Sequence, residues 1–209
     1  MQQCYTLCQA HMMPYNRVMN TAPEPKKQSW GLSLLKELGT FAFIAVCIIY
    51  PFRKYVAEPY IVSGASMSPT FETGHYLIID KISYKLHAPQ RDDVIVMKFP
   101  EDTSRDFIKR IIGLPGETVQ IKDGAVTIIN LEHPEGLKLD ESFVKYPKLD
   151  NTTVTLSTRE YFVMGDNRAG SYDSRAWGPL PVEDIIGKPL LQLYPFNHIG
   201  IHPGSVKNQ

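Results

Sequence analysis

The stretch VSGASMSPTF at 62–71 gathers Ser63, Ser66 and Ser68 around Gly64, Met67 and Pro69, directly behind the strand-like PYIV. A serine hydroxyl is a weak nucleophile until a base takes its proton, and the commonest base is histidine. His75 and His87 stand in strand or turn context near this cluster, His133 lies in a polar stretch, and His198 and His202 fall near the C-terminus. None has an acid in a pattern that would make it a triad base. HIGIH at 198–202 has an H-x3-H spacing but lacks the Glu of an HExxH zinc site and a third ligand. No metal or cofactor is therefore expected. Lysine is the alternative base, because burial strips solvation from the ammonium and lets a neutral amine exist near neutral pH. In DFIKRIIGLPGE, a strand would put Phe107, Lys109 and Ile111 on one face and Ile108, Arg110 and Ile112 on the other. Lys109, flanked by Phe and Ile, is the candidate base. A lysine that snorkels to water from a strand edge is the competing reading of that segment.

A third stretch, YFVMGDNRAGSYDSRAWGPL at 161–180, is a strand that breaks into a polar loop. Such loops can be plain turn chemistry. Here Asp166, Arg168, Asp173 and Arg175 also supply two acids and two arginines within ten residues, enough for bidentate pairing that locks a loop. A further Ser-Lys spacing, SFVK at 142–145, matches S-x-x-K but lacks the S-D-N and K-T-G partners of penicillin-recognising enzymes, and is read as chance.

The elements that must position these residues are short. From residue 56 the chain runs in β-branched segments separated by Gly, Pro and Asp: YIVSG, HYLIID, DDVIVMKF, TVQIKDG, AVTIIN, EYFVMGD. IKDGAVTII centres an Asp-Gly pair between two strands, the signal of a type I′ hairpin. The fold class predicted is mainly β, an antiparallel sandwich or barrel. The 131–160 stretch is polar and reads as an excursion or small subdomain. Ahead of this body, LGTFAFIAVCIIYPF at 38–52 carries no charge in fifteen residues. It falls short of the roughly 20 residues of a bilayer span, but it is apolar on all faces, and Trp30, Tyr50 and Phe52 sit where interfacial aromatics belong. One N-terminal transmembrane helix is expected rather than a core helix or a cleaved leader. The organisation expected is a flexible tail over 1–30, a membrane anchor over 31–55, a β-domain over 56–200 and a tail over 201–209. Lys26, Lys27 and Lys36 before the run, against Arg53 and Lys54 after it, lean towards a cytoplasmic N-terminus.

Lysine plus arginine and aspartate plus glutamate both number 22, so the formal charge is zero and nucleic acid is not an expected partner. The three cysteines are Cys4, Cys8 and Cys47, so the body is not stapled by disulfides.

Taken in order, SGASMSPT at 63–70, KRIIGLPGE at 109–117 and GDNRAGSYDSRAWG at 165–178, behind an apolar run and ending in YPF at 194–196, resemble the type I signal peptidases of the bacterial and organellar Ser-Lys branch. The resemblance implies a membrane-anchored serine endopeptidase that removes signal peptides after small residues, with an A-x-A preference, through an acyl-enzyme. It implies Ser66 as nucleophile, Lys109 as general base, Ser171 as hydrogen-bond partner of the lysine, and Asp166, Asp173 and Arg175 as supporting loop residues. The oxyanion hole would use the Ser66 N–H. Gly64 stands where some members have a serine donor, and Ser63 is one residue further back. The implied partners are signal peptides of secretory precursors and the lipid bilayer, with the chain expected as a monomer at the plasma membrane or a thylakoid-type membrane, its β-domain extracytoplasmic. Met67 and Phe71 are expected to pack or to touch lipid. Two other readings compete: a self-cleaving repressor-type Ser-Lys peptidase, which would lack both the GDN…DSR loop and an apolar run, and a catalytically silent tethered domain that binds signal peptides or assembles a secretion complex.

Overall fold

The computed structural model describes residues 30–205, which divide into two units between Ala42 and Phe43. The tail expected over 1–30 lies outside the described residues apart from Trp30, and so do Cys4 and Cys8. Helix α1 covers Trp30–Ile44, a π-helical turn follows at Ala45–Ile49, and α2 covers Tyr50–Tyr55. Pro51 has no N–H to offer Cys47, and the Tyr50 N–H reaches back to the Ala45 carbonyl, five residues away. The stretch Ser33–Tyr55 is long and apolar enough to cross a membrane, and none of its most apolar window is buried.

The body is antiparallel β, as its alternating runs predict. Its strands are β1 (Ala57–Ile61), β2 (Tyr76–Asp80), β3 (Val94–Phe99), β4 (Asp102–Gly113), β5 (Thr118–Lys122), β6 (Ala125–Ile129), β7 (Leu137–Lys138), β8 (Thr152–Thr155), β9 (Glu160–Met164), β10 (Leu180–Pro181), β11 (Ile185–Tyr194) and β12 (Gly200–Ile201). An eight-stranded sheet runs β1-β2-β11-β3-β4-β9-β10 with β12 added to β11, and a four-stranded sheet runs β7-β6-β5-β8. The expected hairpin joins β5 to β6: Lys122 pairs Ala125, and Asp123 and Gly124 both have positive φ (48° and 79°), the type I′ pattern.

Three apolar clusters form the core. One, built from Ile112, Val119, Ile128, Phe162 and Met164 among others, lies between the small sheet and strands β4 and β9. A second, with Ile95, Met97, Ile111 and Val163, continues along β3, β4 and β9. The third, with Val62, Met67, Phe71, Leu77 and Val96, lies under the 62–71 turn. The last corrects an expectation, because Met67 and Phe71 are 1% and 0% exposed. They face the core of the domain and cannot touch lipid.

The 131–160 stretch and the start of the 201–209 stretch both carry strand residues. The 131–160 excursion contributes β7 and β8 to the small sheet. Residues 201–205, expected as a tail, include the end of β12 and Gly204, whose carbonyl accepts from Arg110 Nη1 at 2.8 Å.

Phe162 is wholly buried between the sheets. Phe162→Ala is expected to cost about 3–5 kcal/mol through lost burial and the cavity left behind, read as a lower urea midpoint for the detergent-solubilised chain.

Candidate active site

The 62–71 turn is held from both ends. Val62 donates to the His75 carbonyl at 2.9 Å, and Gly74 returns a bond to the Val62 carbonyl at 2.9 Å, which extends the β1–β2 ladder past its last residues. Gly64, at φ +99°, then turns the chain in a conformation that L side chains rarely adopt. Thr73 Oγ1 accepts from its N–H and donates to its carbonyl. Met67 and Phe71 anchor the far side in the core, and Phe71 N–H closes a turn on the Met67 carbonyl at 2.8 Å. What this leaves at the surface is Ser66, half-buried, with no intramolecular acceptor for its N–H among the described residues.

Strand β4 brings Lys109 to it. Nζ lies 2.9 Å from Ser66 Oγ and 3.1 Å from the Ile108 carbonyl, 5.1 Å from the centre of the Phe107 ring, with the residue 3% exposed. Burial pushes the ammonium down to about 8, against an upward pull from the Asp173 and Asp166 carboxylates. The protonated amine donates to Ser66 Oγ; the neutral amine accepts the hydroxyl proton across the same contact. Beside the pair opens a cleft of about 300 Å³ with an apolar floor that includes Val62, Leu77, Val96 and Ile108.

The loop after β9 fixes the turn from behind. Asn167 N–H donates to the Ser66 carbonyl at 3.0 Å and its Nδ2 to the Ala65 carbonyl at 3.0 Å. Asp166 takes a bidentate pair from Arg110 (2.8 and 2.7 Å) and a 2.6 Å bond from Thr70 Oγ1, with Arg110 and Asp166 1% and 0% exposed. Asp173 accepts from the Gly165 N–H at 3.0 Å and from Arg175 Nε and Nη2 at 2.8 Å each, and caps the short helix α4 (Ser174–Trp177). Burial alone would raise the Asp173 carboxyl, but the Arg175 guanidinium and the Gly165 amide outweigh it and hold the group below its ordinary value.

A family model described as "Signal peptidase, peptidase S26" matches residues 35–194. The chain belongs to the signal peptidase family. It is 36% identical over 190 residues to the probable signal peptidase I-1 of Synechocystis sp., across 87% of this chain and 92% of that one. It is 34% identical over 175 residues to thylakoidal processing peptidase 1 of Arabidopsis thaliana, across 78% of this chain and 50% of that one. A solved signal peptidase I from Enterococcus faecalis is 30% identical, covering 49% of this chain and 97% of that chain, with a TM-score of 0.42.

Within this signal peptidase the predicted residues sort themselves by distance. Ser66 and Lys109 meet. Asp166, Asp173 and Arg175 cluster behind them, although Asp166 pairs with Arg110 from β4 and not within its own loop. Arg168, read from sequence as a loop partner, turns instead to Glu141 and the Gly165 carbonyl. Ser171 is not brought into hydrogen bonding with Lys109: its Oγ is buried against Gly165 and beside the Asp173 carboxylate, which it helps to hold below its ordinary value. Ser63 is exposed, as are Ser142 and Lys145 of the S-x-x-K spacing. Sequence reasoning missed Arg110, Thr70, Asn167, Glu141 and Asp150. Only Arg110 carried a signal, as an arginine flanked by isoleucines on the other face of the same strand.

Gly165 stands where a Cβ would overlap both Ser171 Oγ and the Ser66 carbonyl oxygen. Gly165→Ala is expected to lower precursor cleavage by at least about a hundredfold, since a displacement near 1 Å costs that much, while circular dichroism stays native. Asp166→Ala strands the buried Arg110 charge and is expected to cost about 3–5 kcal/mol of stability, measured by denaturant unfolding.

Proposed function

We propose that the chain is a membrane-anchored serine endopeptidase that removes signal peptides from secretory precursors with a Ser66–Lys109 dyad. The observation that carries this reading is the 2.9 Å contact between a hydroxyl at the edge of a cleft and an amine that burial brings down to about 8. Neutral Lys109 takes the Ser66 proton as Oγ attacks the scissile carbonyl. The C–N bond then breaks, the lysine ammonium protonates the leaving amine, and an ester remains on Ser66. Water attacks that ester, giving a proton to Lys109; the acyl–Oγ bond then breaks, the lysine ammonium returns the proton to Ser66 Oγ, and the signal peptide leaves as an acid that ionises in solution. The unpaired Ser66 N–H faces the oxyanion. Asp166, Asp173 and Arg175 position the turn and the lysine without touching substrate.

A cleft of about 300 Å³ built on Gly64, Ala65 and an aliphatic floor suits small apolar side chains, in keeping with cleavage after an Ala-x-Ala sequence. The helix over 33–55 is the anchor, followed by the peptidase body from residue 56, and the N-terminal lysines favour a cytoplasmic start with the body on the extracytoplasmic side. One copy of the chain holds both members of the dyad, which suits a monomer.

The test is cleavage of a precursor ending its signal peptide in Ala-x-Ala by the detergent-solubilised chain. Wild type is expected to cut after the second Ala, and Ser66→Ala and Lys109→Met to be folded and inactive; activity surviving in either variant sinks the dyad. The rate is expected to rise about tenfold per pH unit towards pH 8 and then level off, as the amine deprotonates. Stability follows the same group. Its folded value lies below the unfolded one near 10.5, so the folded state binds fewer protons between about 8 and 10.5 and gains stability as pH rises through that window. Lys109→Met is expected to flatten that rise and to be more stable at neutral pH by about 3 kcal/mol, checked by unfolding at several pH values.

A further inference from the structure

A second pocket, of about 420 Å³, opens where α2 meets the sheet, lined by Tyr50, Arg53, Lys54, Glu58 and Lys81. It shares no residue with the cleft beside Ser66. Its cations come from elements distant in sequence. Arg53 and Lys54 lie in the last turn of α2, Lys81 follows β2, and Lys85 lies close by in the short helix α3 (Ser83–Leu86). Glu58 is the pocket's one carboxylate. It accepts from Lys81 Nζ at 3.0 Å and lies 3.9 Å from Arg53 Nη2. Among the described residues, Lys54 and Lys85 have no carboxylate within ion-pair reach. Lys54 lies over the rings of Tyr50 and Tyr55 (5.9 and 5.4 Å), and Lys85 over Tyr55 (5.5 Å). Nearby Asp80 is turned into its own loop, accepting from Ile82 N, Ser83 N and Ser83 Oγ. Three cations thus line a cavity that holds one acid, and a fourth, Lys85, shares the Tyr55 ring with Lys54.

We propose that this pocket binds the phosphate of an anionic phospholipid headgroup. The position selects a lipid over a soluble anion. The cations end the helix over 33–55, beside exposed Tyr50, Phe52 and Tyr55, and aromatic rings of that kind sit at the headgroup level of a bilayer. Val56 alone separates α2 from β1, so the pocket stays at that depth. Anionic headgroups attract Lys and Arg placed there, and a phosphate held between Arg53, Lys54 and Lys81 would offset the excess charge. Glu58 holds Lys81 and faces Arg53, and accepts hydroxyl donors of the headgroup. The inference rests on the anchor reading of 33–55 and is independent of the roles of Ser66 and Lys109.

The full chain is reconstituted into phosphatidylcholine vesicles with and without phosphatidylglycerol, extracted in detergent, and scored for retained lipid by native mass spectrometry. Wild type is expected to keep one phosphatidylglycerol in preference to phosphatidylcholine. The double variant Lys54→Gln/Lys81→Gln is expected to lose that preference by roughly tenfold or more, given two cations removed from an anionic surface. Lys54→Arg/Lys81→Arg, with the charges kept, should retain it. Equal retention of the two lipids by wild type, or an unchanged preference in the glutamine variant, overturns the proposal. So does displacement of the lipid by millimolar inorganic phosphate, which would assign the pocket to a soluble anion. A chain released from phosphatidylcholine vesicles by alkaline carbonate would refute the anchor itself, and with it this site, while leaving the dyad to its own assay.

Discussion

An amine 3% exposed beside a serine hydroxyl is the constraint to which the rest of the body answers. Desolvation is what loosens the proton on Lys109, and any unneutralised carboxylate nearby would tighten it again. Yet the loop that holds Ser66 in place is built on two buried carboxylates, Asp166 and Asp173, and both act on the lysine in that opposing sense. Each is clamped by a guanidinium: Arg110 on Asp166, Arg175 on Asp173. Buried ion pairs of this kind add little net stability. Their effect here is to let carboxylates organise backbone around the site while much of their field is cancelled before it reaches Nζ.

The arginines in turn take partners from the long polar excursion. Arg175 also donates to Asp150 and to the Arg168 carbonyl, and Arg168 pairs with Glu141. Both acids come from the loops around β7 and β8, so the small sheet reaches the site through these side chains. Phe143, from the same region, lies over Arg110 at 4.2 Å from its guanidinium carbon. Arg110 itself bonds the carbonyls of Asp92 and Gly204 at 2.8 Å. A guanidinium has five N–H donors, and satisfying Arg110 in the interior draws the segment around Gly204 onto the body. The segment around Gly204 is held to the body in part by an arginine beside the lysine that needs acceptors.

Local chemistry was legible in the sequence; long-range pairing was not. The 62–71 turn, the alternation of β4 and the Asp-Gly hairpin follow from residue type and period two, and each is where that pattern put it. The bidentate Asp173–Arg175 pair spans two residues, within reach of a sequence argument. Asp166 pairs outside its own loop, with a partner 56 residues away on the opposite face of the lysine strand that no local pattern reveals. Asn167, Glu141 and Asp150 left no trace, since an amide or acid in a polar loop looks the same whether it bonds its own backbone or a distant strand. Ser171 shows a further limit: residue type placed a hydroxyl near the site, but only coordinates show it resting against Gly165 and not on the amine.

Met67 and Phe71 show how position within a turn overrides hydrophobicity. Apolar residues beside a serine at the end of an anchored domain invite a membrane-facing reading, but a hydroxyl held 2.9 Å from an amine needs a floor that does not move. The two side chains provide it, packing with Val62, Leu77 and Val96 beneath the turn. The apolar groups left facing outward on this part of the sheet are elsewhere. Ile61, at the end of β1, pairs Tyr76, which pairs Tyr194, and Phe196 meets the Tyr194 ring edge-on at 5.5 Å. Ile61, Tyr194 and Phe196 are all exposed. The turn therefore keeps its own apolar side chains for rigidity, and the outward-facing ones fall on the strand that leads into it, on the strand two places across the sheet and on the turn that follows that strand.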